Sequence, residues 1–208
     1  MDSQEVTHAI PYNMDKFIEI AHRYGKFDLN TYFETTGNKY SILLINYDNS
    51  DLIFQDGYSL KQFLHDCIRD FDFVNKGISA LYGPHPSITN VDVFMVNQNL
   101  VGTEDEEIII FHEICHLLEK RGYYKSLGIE FSEDEIKVGN ELEKIANKLD
   151  EFSGGWGEDK NHNSLFGRLL FHFLKGFDFD NRYSLLSRAM SKNFLDDYSE
   201  EFKIAGNR

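Results

Sequence analysis

The chain has 208 residues, 41% apolar and 14% aromatic, and its 21 basic against 35 acidic residues give a formal charge of −14. That length fits one domain, or one domain with an appendage, and supports a core without staples. The composition excludes wholesale disorder, and the acidic balance argues against a non-specific nucleic-acid or anionic-membrane binder, since both need a basic face.

In chain order, Asp15–Arg23 carries apolar residues at 17, 18, 20 and 21 and predicts a short helix. Gly25 and the polar stretch to Lys39 predict a break with irregular structure. Tyr40–Asn46 predicts a strand, with Leu52–Phe54 as its hairpin partner. Ser59–Phe71 has the apolar spacing of an amphipathic helix. Gly83-Pro84-His85-Pro86 predicts a stiff loop, and Val91–Val96 a strand. Thr103 with Glu106 has the form of a capping box, opening a helix that ends at Lys120-Arg121 with Gly122 as a left-handed stop. Ser132 with Glu135 opens the next helix, running to about Phe152, where Gly154-Gly155-Trp156-Gly157 ends it. Two more helices are expected near Ser164–Lys175 and Tyr183–Ile204. The order predicts an α+β fold, mostly helical, with a small and mainly antiparallel sheet.

Two cysteines, Cys67 and Cys115, are too few for a disulfide framework or a four-cysteine zinc site. Both read as small buried apolar residues. The first residues show no basic or apolar signal segment, and no run approaches the ~20 residues that span a bilayer. No membrane association and a cytoplasmic location are expected.

The chemistry lies in the helix after Thr103, which contains His112-Glu113-Ile114-Cys115-His116, an HExxH motif. Residues four apart share a helix face, so both imidazoles can meet one metal ion. Neutral imidazoles bind zinc without cancelling its charge, and a neighbouring carboxylate can take a proton from water. From Ile108 to Leu118 the only polar side chains are His112, Glu113 and His116. A helix apolar all round is a buried one. Three buried ionisable groups are costly without a partner, and a metal with water supplies one.

A catalytic zinc needs a third protein ligand. The next helix offers Glu133, Glu135, Glu141, Glu143, Asp150 and Glu151. Glu143 stands out because Gly139 and Ala146 flank it on its own face, leaving room for close helix approach. Glu141, beside Lys137 and Lys144, reads as a solvated edge.

The strand Val91–Val96, the HExxH helix Ile110–Leu118 and the run Glu143-Lys144-Ile145-Ala146-Asn147 together resemble the ImmA/IrrE family of gluzincin-type metallopeptidases. The likeness covers about residues 88–152. It implies a zincin-like fold, Zn2+ held by His112, His116 and Glu143, and Glu113 as general base. It also implies site-specific cleavage of an intracellular regulatory protein, often a helix-turn-helix repressor, in bacteria and their mobile elements or phages; separately, the acidic clusters of this chain could favour a basic partner. Ile114-Cys115 replaces the family's usual Leu-Gly inside the motif. On this reading residues 1–152 form the metallopeptidase domain, and 153–208 a helical C-terminal extension packed on it.

His162 and Tyr123 are candidates for stabilising the oxyanion of a tetrahedral intermediate; Tyr124 and His172 are weaker ones. Val91, Val93 and Met95 mark a strand edge that could take an extended peptide by β-addition. No direct nucleic-acid binding is expected. Two other readings compete with the enzyme: a metal-bound sensing or protein-binding module without peptidase activity, and a structural zinc site with His162 as fourth ligand.

Overall fold

The computed structural model describes residues 10–45, 79–85, 89–153 and 163–190. The expected hairpin partner at 52–54, the helix at 59–71, the loop at 154–157, His162 and the last helix beyond 190 lie outside the described residues. The described elements are α+β: six helices and a small mixed sheet. The chain forms two compact units, Met1–Glu19 with Asp28–Glu106, and Ile20–Phe27 with Glu107–Arg208. The expected boundary at 152 does not coincide with this division.

The first unit holds the sheet. Strands β1 (Ile10–Pro11), β2 (Lys39–Ile45), β3 (Ala80–Pro84) and β4 (Val91–Asn97) stand in the order β1-β2-β4-β3. β1 is a two-residue stub against β2. The longest ladder is parallel, pairing β2 with β4 from Lys39↔Val91 to Ile45↔Asn97. β3 pairs antiparallel with β4. The sheet is therefore mixed rather than mainly antiparallel, because its central ladder is a parallel one.

β4 is central, and its side chains from Asp92 to Asn97 are all buried. This corrects the expectation that Val91, Val93 and Met95 form a free edge. Both sides of their backbone are taken by β2 and β3, and strand addition needs an unpaired edge. Phe94 packs edge-on against Phe17 at 4.7 Å and lies 4.9 Å from the Tyr82 ring. The Tyr82 hydroxyl donates to the buried Asp92 carboxylate at 2.7 Å.

Two sequence expectations fail here for local reasons. Gly83-Pro84 belongs to β3 instead of a loop, since proline is tolerated at an edge strand where no ladder N–H is needed. The stretch after Gly25 contains helix α2 (Leu29–Thr36). Asp28 caps it by accepting the Asn30 N–H at 2.9 Å, and Gly37 ends it with φ 68°. Leu29, Tyr32 and Phe33 bury its apolar face.

Helix α1 (Met14–Gly25) begins in the first unit and continues in the second. Helix α3 (Glu106–Lys120) carries the motif. It starts at Glu106, later than a Thr103 cap implies. The Thr103 hydroxyl donates instead to the Leu100 carbonyl at 2.8 Å. The Glu106 carboxylate receives the Gly102 N–H at 2.7 Å, the Tyr12 hydroxyl at 2.5 Å and the Lys16 ammonium at 2.6 Å. Gly122, at φ 65°, provides the left-handed stop expected of it.

In the second unit α4 (Glu133–Ser153), α5 (Ser164–Leu174) and α6 (Phe179–Met190) follow α3. The capping box at the start of α4 forms as expected: the Ser132 N–H donates to Glu135 at 2.6 Å, and the Glu135 N–H to the Ser132 hydroxyl at 3.3 Å. Every residue from Phe111 to Leu118 is buried, as an all-apolar helix requires. Tyr24 stacks on Phe111 at 5.2 Å, and Phe173 meets Phe111 edge-on at 5.5 Å. α4 and α5 approach through two glycines. A Cβ on Gly139 would lie 2.5 Å from the Ser164 carbonyl oxygen, and one on Gly167 would lie 3.1 Å from the Gly139 Cα.

Candidate metal centre

α3 carries its motif side chains in buried positions. His112, Glu113 and His116 are only 8%, 8% and 6% exposed. One helical turn separates the histidines, and their rings converge so that the two Nε2 atoms lie 3.1 Å apart. That distance suits an N–H···N hydrogen bond with one ring donating. It also suits a shared ion: two nitrogens each ~2.0–2.1 Å from a tetrahedral zinc lie about 3.3 Å apart. The imidazoles thus fit two positions of a zinc site.

The third position is another matter. Among the described residues, no three His, Cys, Asp or Glu side chains are gathered as a metal-holding group. Glu143 is half-buried on α4 but is not brought to the histidines as a ligand. The small residue expected to bring α4 close to the motif helix explains part of this. Gly139 faces α5, where Ser164 and Arg168 crowd it. Glu141 behaves as read, in an exposed ion pair with Lys144 at 2.7 Å. Glu135 is committed elsewhere, accepting from Lys175 and meeting His172 Nδ1, each at 2.8 Å. Burial would raise its carboxyl; Lys175, Ser132 and His172 outweigh burial and hold it at about 2. His172 is thereby engaged in a structural network. Tyr123 stands half-buried in a short turn, Tyr123–Lys125, just past the end of α3.

Three residues that the sequence reading did not single out surround the histidines. Phe166 of α5 stacks on His116 at 4.2 Å and 21°, and its ring lies 4.7 Å from that of His112. Glu119 places Oε2 3.6 Å from His116 Nδ1. Asn163 donates from its amide to Glu119 Oε1. Its Oδ1 accepts the Leu165 and Phe166 N–H groups at 2.9 and 3.0 Å, capping α5. Signals for two of these exist in the sequence. Glu119 lies three residues past His116 and seven past His112, on the same face, and Asn163 precedes an apolar helical run. Phe166 has none beyond its apolarity.

Burial raises the Glu119 carboxyl above its ordinary value, against the pull of the Asn163 amide and Lys120. Cys115 is fully buried, and burial together with the Glu113 and Glu119 carboxylates pushes its thiol well up. It stays protonated and packs as a small apolar residue. No helix among the described residues is long and apolar enough to cross a membrane.

No protein-family model, no curated protein and no solved structure matches this chain. A functional reading therefore rests on the motif and its geometry.

Proposed function

We propose that the chain is a zinc-dependent endopeptidase that cleaves an intracellular regulatory protein. The observation that carries this reading is the 3.1 Å convergence of the His112 and His116 Nε2 atoms on a buried helix, with Glu113 buried between them in sequence. His112 and His116 would hold the zinc from two sides, and the third position is left to a donor that the described residues do not bring to them. Zinc, when bound, supplies a Lewis acid that polarises the substrate carbonyl and acidifies water. Glu113 then takes a proton from the attacking water and returns it to the leaving amine. Burial of these groups strengthens their electrostatic effect. The family resemblance supports the same roles and suggests a repressor-like substrate, and the charge of −14 favours a basic one.

A second reading is favoured by one observation. The motif side chains are at most 8% exposed, and Phe166 lies against both imidazole rings. A metal-bound module that binds or senses without cleaving would tolerate such coverage. The two readings part on Glu113. Zinc-loaded protein incubated with a panel of basic DNA-binding proteins should give a discrete cleavage product, and Glu113→Gln should abolish it. Absence of cleavage with full zinc occupancy would favour the binding module.

A further inference from the structure

The zinc reading of His112 and His116 assigns no role to Glu119 or Asn163. His116 has two ring nitrogens. Nε2 turns toward His112, so Nδ1 points to the opposite side of the ring, where Glu119 Oε2 lies at 3.6 Å. That separation is a charge contact longer than a formed hydrogen bond. A carboxylate there still favours the proton on Nδ1, because an N–H dipole is attracted to it and a ring lone pair is repelled. With Nδ1 protonated, Nε2 carries the lone pair and is the ligating atom.

Glu119 does not fit as the third metal ligand. It is on the correct face of α3, but its carboxylate sits on the Nδ1 side of His116, away from the point where the two Nε2 atoms meet. Its side chain is 10% exposed, and Asn163 holds its other oxygen. Asn163 is held in turn, since its Oδ1 caps α5 through Leu165 and Phe166. Phe166 closes the circuit by stacking on His116 at 4.2 Å. One face and one edge of the His116 ring are thus fixed from the start of a single helix.

We infer that Glu119 is the positioning residue for His116: it selects the Nδ1–H tautomer and aims Nε2 at the metal, and Asn163 locks Glu119 in that place. The inference deepens the proposed zinc site and rests on it. Side-chain partners of this kind change metal affinity by ~10–100-fold when removed.

The test uses the full chain in two states. In the metal-free state, histidine side-chain 15N NMR reads the tautomer of His116. In the second, zinc affinity is measured by competition with a chromophoric chelator. The variants are Glu119→Ala, Glu119→Gln and Asn163→Asp. The last keeps an N-cap for α5, since Asp caps as well as Asn, but replaces the amide donor with a repelling carboxylate. The wild type should show His116 as the Nδ1–H tautomer. Glu119→Ala and Asn163→Asp should lose that preference and bind zinc ~10–100-fold more weakly, with Glu119→Gln between. Unchanged tautomer and unchanged affinity in Asn163→Asp and Glu119→Gln, which preserve side-chain size, would overturn the assignment. A wild type that binds no zinc would remove the proposed function. The metal-free tautomer would still decide whether Glu119 orients His116.

Discussion

At the residue scale, the proposed chemistry turns on three side chains of one helical turn. Glu113 is given the proton-transfer role, so Glu113→Gln should retain zinc while cleavage falls by at least ~100-fold, the usual scale of a general base. Equal zinc content with undiminished cleavage would reassign the base. Glu135 offers a separate check, on stability alone. Its folded carboxyl is held at about 2 against an ordinary value of 4.5. A depressed carboxylate stabilises the fold above its unfolded pKa, and the benefit is lost as pH falls through the folded value. The Glu135 contribution, on the order of 3 kcal/mol, should therefore be complete above pH ~4.5 and disappear toward pH ~2. Acid unfolding of Glu135→Gln should lack that part of the pH dependence; an identical profile would show that the Lys175 and His172 contacts contribute nothing.

The motif residues were legible because HExxH spacing and an apolar circumference are both sequence properties. The carboxylate beside His116 was legible only in part: spacing puts Glu119 on the histidine face, but its contact with Nδ1 depends on rotamers. Those follow from the packing of α5, which the sequence of α3 does not contain. Glu143 shows the same limit. Small neighbours do mark a close helix approach, but not which helix approaches.

At the element scale, that approach is the clearest mechanical feature of the second unit. Gly139 and Gly167 bring α4 and α5 together at backbone distance. Gly139→Ala would put a methyl 2.5 Å from a backbone oxygen, which cannot move like a flexible side chain. It should destabilise the chain by ~1–3 kcal/mol despite the better helix propensity of alanine. Urea unfolding checks this, and a gain in stability would mean that the helices separate without cost. Helix periods, the Ser132–Glu135 box and the Gly122 stop were readable from sequence because they are local. The parallel pairing of β2 with β4 was not, since it joins segments with no local signature of partnership. Missing α2 has a plainer cause. Its single buried face of Leu29, Tyr32 and Phe33 sits among polar residues, and tertiary burial outweighs that weak pattern.

At the scale of the whole molecule, the charge of −14 acquires a use beyond excluding partners. An acidic protein acting on a basic substrate gains association rate from its field, and salt screens that gain. Cleavage of a basic regulator should slow several-fold between about 0.05 and 0.5 M salt; a salt-independent rate would argue that the acids serve solubility alone. Zinc should also stabilise the fold by mass action, about 4 kcal/mol at 1,000 times its dissociation constant. Its effect on unfolding should vanish in the double variant His112→Ala/His116→Ala.

The most direct test of the central claim is the zinc content of the purified full chain, by elemental analysis, beside that of His112→Ala. About one zinc per wild-type chain is expected, and its loss from the variant, provided that the variant remains folded by circular dichroism. A wild type that takes up no zinc when saturated with it, or a folded His112→Ala that keeps the full amount, would contradict that claim.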